Sequence, residues 1–182
     1  MLYLKFLFNA ELWLNHQTVG IANENNACIV KEIIQAIHNN SVYLSEIDGE
    51  TGDGDHGVNM NKGFLMADVR IKEDDSFSEA LKKLGKTLVM DIGGSMGPIY
   101  GTLFSKLSRT LKIEEKIDAK LFEEALKIGA EQGKESTRDM VAKLGRASRL
   151  GERSKGHLDA GATSCCIILQ TMADGMIKRM VK

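Results

Sequence analysis

The sequence contains little proline, cysteine or aromatic residue, and almost no net charge. One proline in 182 residues and 5% aromatic residues argue against a β-sandwich, whose turns and strands normally use both. Three cysteines are too few, and odd in number, for a disulfide scaffold, which favours a reducing cytoplasmic location. The net charge of −1 argues against nucleic acid as the main partner, because phosphate binding depends on clustered positive charge.

The chain has the length of a single domain, and its 43% hydrophobic residues suffice to form a core. Sustained alternation of apolar and polar residues is lacking, whereas apolar residues recur at steps of three and four. We therefore predict an all-α fold with helices packed around a shared core. The predicted helices cover residues 26–48, 58–69, 77–92, 99–111, 119–133 and 162–181.

The first fourteen residues are apolar but are interrupted by Lys5 and Glu11. The segment is too short to span a bilayer and lacks the cleavage site of a secretory signal. We predict an N-terminal extension at residues 1–25 and a domain at residues 26–182. The extension is interpreted as an additional amphipathic segment, and a membrane-surface or partner-docking helix, or a leader, stays open as an alternative.

The loop Gly52–Gly57 is rich in glycine and acidic residues. Asp53 and Asp55 are two positions apart, and Asp48 precedes them at a predicted helix end. Three converging carboxylates repel one another unless a cation lies between them, and an all-oxygen ligand set suits Mg²⁺ or Ca²⁺. A calcium hand is excluded, because the twelfth position from Asp53 is Phe64. Mg²⁺ held together with substrate phosphates is the preferred interpretation, and a solvated turn is the alternative.

Two further glycine-rich segments, residues 93–97 and 145–161, precede predicted helices. Backbone N–H groups at helix N-termini point at anions, so both segments could contact phosphate. Segment 93–97 lacks the Gly-Lys-Ser/Thr ending of a P-loop. Considered singly, His56 is consistent with an ordinary helix start, and Arg146 with a solvated surface charge.

Three motifs occur in order along the chain: EIDGETGDGDHGVNMNKGF at 46–64, IGGSMGPIYGTLF at 92–104 and GRASRLGERSKGHLDAGATS at 145–164. Their combination is more specific than any single motif. Together they closely resemble the ADP-binding L subunit of bacterial dihydroxyacetone kinase, the type driven by the phosphotransferase system. The same module forms the C-terminal part of ATP-dependent dihydroxyacetone kinases. The resemblance extends from about residue 29 to the C-terminus. It implies a barrel of eight antiparallel helices that binds ADP and two Mg²⁺ through loops at one end.

The resemblance also implies roles for individual residues. Asp48, Asp53 and Asp55 match the Mg²⁺ ligands, and Arg146 matches an arginine near the phosphates, so these four form the implied catalytic group. The implied nucleotide-binding residues are His56, Gly57, Val58, Asn59, Gly94, Ser95, Met96, Gly133, Arg146, Asp159 and Ala160. Ala160 departs from the family pattern, which usually has proline there.

The activity implied by the resemblance is phosphoryl transfer. Bound ADP receives a phosphoryl group from a multiphosphoryl carrier (M) subunit and passes it to dihydroxyacetone on a K subunit. Metal ions and an arginine neutralise the phosphate charge, and the positioning of the reacting groups supplies the rest of the rate acceleration. The resemblance further implies a cytoplasmic homodimer or hetero-complex, and a transcription regulator as a further partner, with no membrane partner. An ATP-dependent kinase subunit and a regulatory homologue with reduced catalysis stay open as alternatives.

Between Gly133 and Gly145 the sequence is shorter than the family pattern by about one or two helices. Either the chain lacks this segment, or residues that belong there are absent from the printed sequence. We favour the second interpretation, because deleting a helix from a barrel exposes an apolar face to water. A true deletion would weaken both nucleotide retention and barrel closure.

Overall fold

A computed structural model describes residues 20–92, 96–112, 116–118, 130–132, 134–142 and 146–180. The helices in these ranges include α1 (Ala27–Asn39), α2 (Ser41–Thr51), α3 (His56–Asp68), α4 (Phe77–Asp91), α5 (Met96–Leu111) and α6 (Ala160–Lys178). Shorter 3-10 helices form at Thr137–Asp139 and Arg146–Ser154, and the strands β1 (Gly20–Ala22) and β2 (Lys116–Asp118) pair antiparallel. The prediction of an all-α fold is confirmed.

The helices pack around one apolar core. On α1, the isoleucines Ile29, Ile33 and Ile37 recur every fourth residue and are fully buried. α1 packs against α3, α4 and α6, and α4 packs against α5. Phe64 of α3 contacts Phe104 of α5 edge to face, with ring centroids 6.1 Å apart. The core therefore links all of these helices.

α4 and α5 approach each other closely at a pair of glycines. A Cβ atom added to Gly101 would lie 2.7 Å from the carbonyl oxygen of Gly85, and one added to Gly85 would lie 2.8 Å from that of Gly101. These separations are shorter than van der Waals contact, so a side chain at either position would push the helices apart. The contact fixes α5 against the rest of the bundle.

The single helix predicted over residues 26–48 is divided at Asn40. The Asn40 side chain donates to the carbonyl oxygen of Ala36 at 2.8 Å, and its backbone N–H donates to the same atom at 3.1 Å. Such local side-chain bonds compete with regular helix geometry. The N–H of Leu44 still donates to the Asn40 carbonyl at 2.9 Å, so the chain continues into α2 and places Asp48 in its last turn.

The strand pair near the N-terminus was not predicted, because three-residue strands leave no pattern in a sequence. Ile21 of β1 is fully buried. Asn23 accepts from the backbone N–H of Ser78 at 3.0 Å and donates to the Leu111 carbonyl at 3.1 Å. Residues 20–23 thus contact the same core as the domain. The remainder of the predicted extension that precedes them, residues 1–19, lies outside the described residues.

Other predicted boundaries agree in part with the structure. The structure begins α4 at Phe77, as predicted, and Ser76 caps it, since Ser76 Oγ accepts from the backbone N–H of Glu79 at 3.1 Å. The predicted helix over 119–133 lies outside the described residues except for 130–132. The predicted loop 145–161 contains the 3-10 helix Arg146–Ser154, which is kinked at Gly151 with a φ of 55°.

The helix directions bring the functional loops to one end of the bundle. Lys31 of α1 lies 3.5 Å from Asp68 at the end of α3, so these helices are antiparallel. Arg179, just after α6, lies 2.9 Å from Glu32 of α1, so α6 also runs opposite to α1. The end of α2 and the starts of α3 and α6 therefore share one end. None of the described helices has the length and apolar character needed to cross a membrane.

Candidate functional site

Three carboxylates meet where α2 ends and α3 begins. Asp48 comes from α2, Asp53 and Asp55 come from the connecting loop, and one oxygen of each lies within 4.8 Å of the others. Oxygens on opposite sides of one ion are separated by twice the metal–oxygen distance, about 4.2 Å for Mg²⁺ and about 5 Å for Ca²⁺. The three carboxylates are therefore close enough to hold one divalent cation after small side-chain rotations.

The start of α3 lies directly against α2 because Gly57 has no side chain. A Cβ atom there would overlap the carbonyl oxygen of Ser41 and would lie 2.7 Å from Ser45 Oγ. The backbone N–H of His56 donates to Asp48 Oδ2 at 3.3 Å. The first turn of α3, whose N–H groups have no partner within the helix, thus lies beside the carboxylates. In that turn the side chain of Val58 is exposed.

Arg146 brings positive charge to the carboxylates. Its Nη1 forms an ion pair with Asp53 and lies 3.9 Å from Asp55 Oδ2. The Arg146 side chain is 55% exposed, so water weakens the pair. The structure brings the four predicted catalytic residues together, and a cation that enters between the carboxylates must compete with Arg146.

The third motif reaches the same end of the bundle. Asp159 caps α6, since its Oδ1 accepts from the N–H of Ala162 at 2.7 Å, and Ala160 is the buried first residue of that helix. His157 Nδ1 lies 2.9 Å from Glu50 Oε2, which ties this motif to α2. Asp159 and Ala160 therefore lie at the same end of the bundle as the carboxylates.

Some predicted residues are not described. Gly94, Ser95 and Gly133 lie outside the described residues, and only the backbone of Met96 is described, as the first residue of α5. Asn59 is described, and its backbone N–H donates to the Asp55 carbonyl at 2.9 Å. The roles of all these residues in nucleotide binding stay predictions.

A hydroxyl pair that the sequence analysis missed lies behind His56. His56 Nε2 is 3.0 Å from Ser164 Oγ, and Ser164 Oγ is 2.7 Å from the Tyr100 hydroxyl. The Tyr100 hydroxyl donates to the carbonyl of Gly161 at 2.8 Å. Ser164 is fully buried and Tyr100 is 6% exposed. A tyrosine on an apolar helix face carries no local signal of this role, and only the tertiary contact reveals it.

Burial sets the protonation of this group. Burial lowers the pKa of His56 below its ordinary value, although the carboxylates of Asp48, Asp159 and Asp55 act in the opposite direction. Burial also raises the pKa of the Tyr100 hydroxyl. At neutral pH the network therefore contains a neutral imidazole and a protonated phenol.

These features define a class of protein. It is an α-helical domain with a carboxylate cluster, an arginine and helix N-termini at one end, a combination suited to a divalent cation and a phosphate-bearing ligand. The sequence matches the DAK2 domain over residues 50–132 and 124–174. The chain therefore belongs to the DAK2 domain family.

Two bacterial relatives match over most of their length. The chain is 33% identical to the PTS-dependent dihydroxyacetone kinase, ADP-binding subunit DhaL, of Lactococcus lactis subsp. lactis (strain IL1403), over 77% of this chain and 91% of the relative. It is 32% identical to the ADP-binding subunit DhaL of PEP-dependent dihydroxyacetone kinase 1 of Listeria innocua serovar 6a, over 76% of this chain and 89% of the relative.

A solved structure shares the fold. The dihydroxyacetone kinase from C. freundii, in complex with AMP-PNP and Mg²⁺, superposes with a TM-score of 0.52 at 19% identity. The match covers 81% of this chain and 33% of the kinase chain. The likeness supports the all-α fold, and this chain spans about a third of that kinase.

The comparisons also show the internal shortening. The alignment with the Lactococcus relative has 174 positions, but it includes only about 140 residues of this chain, which is 77% of 182. About 34 positions of the relative therefore have no counterpart in this chain. The family match divides at residues 124–132. Beyond this junction, Thr137 Oγ1 accepts from the N–H of Asp159 at 3.1 Å, and Arg138 O accepts from the N–H of Gly156 at 2.8 Å. Residues 134–142 therefore contact the third motif directly.

Proposed function

We propose that this chain is the nucleotide- and Mg²⁺-carrying phosphotransfer subunit of a dihydroxyacetone kinase. One observation carries the proposal: Asp48, Asp53 and Asp55 converge with Arg146 at the first turn of α3. The names of the Lactococcus and Listeria relatives, which describe ADP-binding subunits, support the same ligand.

Each part of the site has a distinct task in the proposed reaction. Two bound Mg²⁺ ions would supply charge neutralisation at the phosphates. Asp48, Asp53 and Asp55 would hold these ions, and Arg146 would turn from Asp53 towards the phosphate oxygens. In the first turn of α3, His56–Asn59, the N–H groups of Gly57 and Val58 would orient the nucleotide, since those of His56 and Asn59 already donate to Asp48 and Asp55. The chain itself provides orientation and charge, and its side chains form no covalent intermediate.

The proposed partners follow from this reaction. A phosphocarrier M subunit would supply the phosphoryl group to bound ADP, and a K subunit would present dihydroxyacetone as the acceptor. We place this hetero-complex in the cytoplasm. A transcription regulator is proposed as a further partner, and residues 26–182 as the domain that carries the activity.

Replacing single carboxylates tests the proposal. Asp53→Asn and Asp55→Asn each remove a negative ligand, so we expect each to lose Mg²⁺ binding and phosphoryl transfer. Asp74→Asn is the matched control, because Asp74 is an exposed carboxylate in the loop between α3 and α4 at the opposite end. Mg²⁺ titration and transfer assays with the two partner subunits give the readout. Full activity in both site variants contradicts the proposal.

A second candidate function is an ATP-dependent kinase subunit with freely exchanging nucleotide. The observation that favours it is the shared fold with the C. freundii kinase, which was crystallised with an ATP analogue. Turnover with free ATP and a K subunit, in the absence of any phosphocarrier, supports this function. Turnover only in the presence of the phosphocarrier supports the first.

The third candidate is a regulatory homologue with reduced catalysis. The observation that favours it is the absence of about 34 aligned positions relative to the Lactococcus subunit. Phosphoryl transfer by this chain with intact partner subunits, at a rate similar to that of a full-length relative, would argue against the regulatory function.

A further inference from the structure

The 3-10 helix that carries Arg146 has little burial of its own. Among its nine residues, all of which the structure describes, Ser154 is the only buried one, at 4% exposure. Runs of 3-10 helix longer than about four residues are uncommon because their hydrogen bonds are poorly aligned, and this helix is also kinked at Gly151. The position of Arg146 therefore depends on how this helix is attached to the rest of the domain.

Ser154 attaches the helix to the segment that precedes it in the chain. The Ser154 hydroxyl accepts from the backbone N–H of Ala142 at 2.9 Å and donates to the carbonyl of Gly151 at 2.7 Å. Both directions are fixed, because a backbone N–H can only donate and a carbonyl can only accept. One buried hydroxyl thus joins the two limbs of the chain that flank Arg146 and also holds the kink.

A second attachment lies beside the first. The N–H of Gly156 donates to the carbonyl of Arg138 at 2.8 Å, and Arg138 Nη1 donates to the carbonyl of Gly156 at 3.2 Å. These two hydrogen bonds and the one from Ala142 to Ser154 are named the Arg146 clasp. The next residue, His157, contacts Glu50 of α2 at 2.9 Å, so the clasp is tied to the helix that ends beside the carboxylates.

We propose that Ser154 is a positioning residue, which through the Arg146 clasp holds Arg146 against Asp53 and in reach of the phosphates of a nucleotide. That a nucleotide binds here rests on the proposed function. The Arg146 side chain is 55% exposed, so without the clasp little else restrains it from moving into water. Arg138 and Ala142 follow the junction of the family match at residues 124–132, so the shortened region of the chain supplies one side of the clasp.

Loosening the clasp should have two effects of opposite sign. MgADP requires Arg146 in place, so its affinity falls with the fraction of chains in which the clasp is formed. Mg²⁺ alone competes with Arg146 for Asp53, so its affinity rises when the arginine is released. A general loss of structure at the site would lower both affinities. The opposite signs therefore separate positioning from a merely structural role.

Ser154→Ala removes the hydroxyl and leaves the rest of the clasp intact. We expect this variant to weaken MgADP binding roughly 2- to 10-fold, the value of one hydrogen bond. It should also raise the affinity for Mg²⁺ alone by up to about 5-fold, the value of an exposed ion pair. Ser78→Ala is the matched control, because Ser78 is also 4% exposed and is bonded by Asn23 at the opposite end of the bundle. The control should change neither affinity.

Gly156→Ala keeps the experiment decisive if Ser154→Ala does not fold. Gly156 has a φ of 89°, which favours glycine, but a Cβ atom there would meet no other atom within 4 Å. The substitution therefore strains the backbone of the clasp without a steric clash. It should move both affinities in the same directions as Ser154→Ala. Gly156→Asn should have the smaller effect, because asparagine tolerates a left-handed conformation better than alanine does.

Two further readouts address the mechanism. In an Arg146→Gln background, Ser154→Ala should no longer change either affinity, because the residue that it positions is gone. Amide hydrogen exchange in nucleotide-free protein reports on the clasp itself. The N–H groups of Ala142 and Gly156 should exchange faster in Ser154→Ala than in the wild-type chain.

Specific results would overturn this inference. These are an MgADP affinity that neither Ser154→Ala nor Gly156→Ala changes, an Mg²⁺ affinity that falls together with it, or an equal loss in the Arg146→Gln background. A folded wild-type chain that binds no MgADP contradicts the proposed function instead. Amide exchange still decides the clasp in that case, since unchanged exchange at Ala142 and Gly156 in Ser154→Ala would show that Ser154 does not hold the loop.

Discussion

Arg146 and a bound cation compete for the same carboxylates. Arg146 forms an ion pair with Asp53, and this pair must open before a metal ion can bind in its place. Arg146→Gln should therefore raise the affinity for Mg²⁺ alone by roughly 2- to 5-fold, the range of an exposed ion pair. The same variant should lower the affinity for MgADP, because the phosphates lose a positive partner.

Calorimetric titration with Mg²⁺ and then with MgADP measures both effects of Arg146→Gln. Arg153→Gln, in the same exposed 3-10 helix, is the control for a general loss of positive charge. A fall in both affinities would show that Arg146 does not compete with the metal.

Single residues were predictable from the sequence only where the signal is local. Asp53 and Asp55 share a glycine-rich loop, so their convergence followed from spacing of a few residues. Ser164 lies 108 positions from His56, and no spacing rule connects them. Asp159 was predicted for nucleotide binding, and the structure adds that its carboxylate caps α6.

At the level of elements, Ala160 occupies a position that suits proline. It is the first residue of α6, where the fixed φ of proline is favourable and its missing N–H is not needed. The preceding Asp159 is extended, with φ −76° and ψ 124°, as a residue before proline requires. Ala160→Pro should raise the free energy of unfolding by about 0.4–1 kcal/mol.

Thermal or urea unfolding measures the effect of this substitution. Ala162→Pro is the matched control and should destabilise, because the N–H of Ala162 is donated to Asp159. A destabilised Ala160→Pro variant would mean that the buried start of α6 has no room for the ring.

Asp75 holds the start of α4 to its neighbours. Its carboxylate accepts from Lys83 Nζ at 2.8 Å and from the backbone N–H of Lys72 at 2.8 Å. Burial alone would raise the pKa of Asp75, but the hydrogen bonds from Lys83 and Lys72 outweigh it and hold the pKa below its ordinary value. The ionised carboxylate therefore stabilises the folded state.

The sign of this pKa shift gives a pH prediction. Because the pKa of Asp75 is lower in the folded chain, its contribution is present above the unfolded pKa of about 4 and is lost as pH falls through the folded pKa. Asp75→Asn should lower the free energy of unfolding by about 1–2 kcal/mol at neutral pH, and the difference should shrink in acid. Urea unfolding across pH measures it. A difference that does not depend on pH would contradict the assigned role.

For the whole molecule, the sequence predicted the class of fold but not its junctions. Apolar steps of three and four are repeated along each helix, so the all-α class followed from many residues at once. The bend at Asn40 depends on one side chain, and the pairing of Gly20–Ala22 with Lys116–Asp118 joins segments that are distant in the chain. Neither leaves a periodic signal.

The internal shortening after residue 133 is also a property of the whole molecule. The Asp159 N–H donates to Thr137 Oγ1 and Arg138 Nη1 donates to the Gly156 carbonyl, so the shortened region contacts the site end directly. Inserting the missing segment of the Lactococcus subunit after residue 133 should slow MgADP dissociation if that segment covers the nucleotide. Stopped-flow displacement of bound MgADP measures the rate. An unchanged rate would show that the shortening does not affect retention.

The central claim is that the folded chain carries a magnesium–nucleotide complex at its carboxylate cluster. Titration calorimetry of the folded protein with MgADP tests it most directly. The account predicts about one MgADP per chain, with binding that disappears in chelator and in Asp55→Asn. A wild-type chain that is folded by circular dichroism, yet binds neither MgADP nor Mg²⁺, would contradict it.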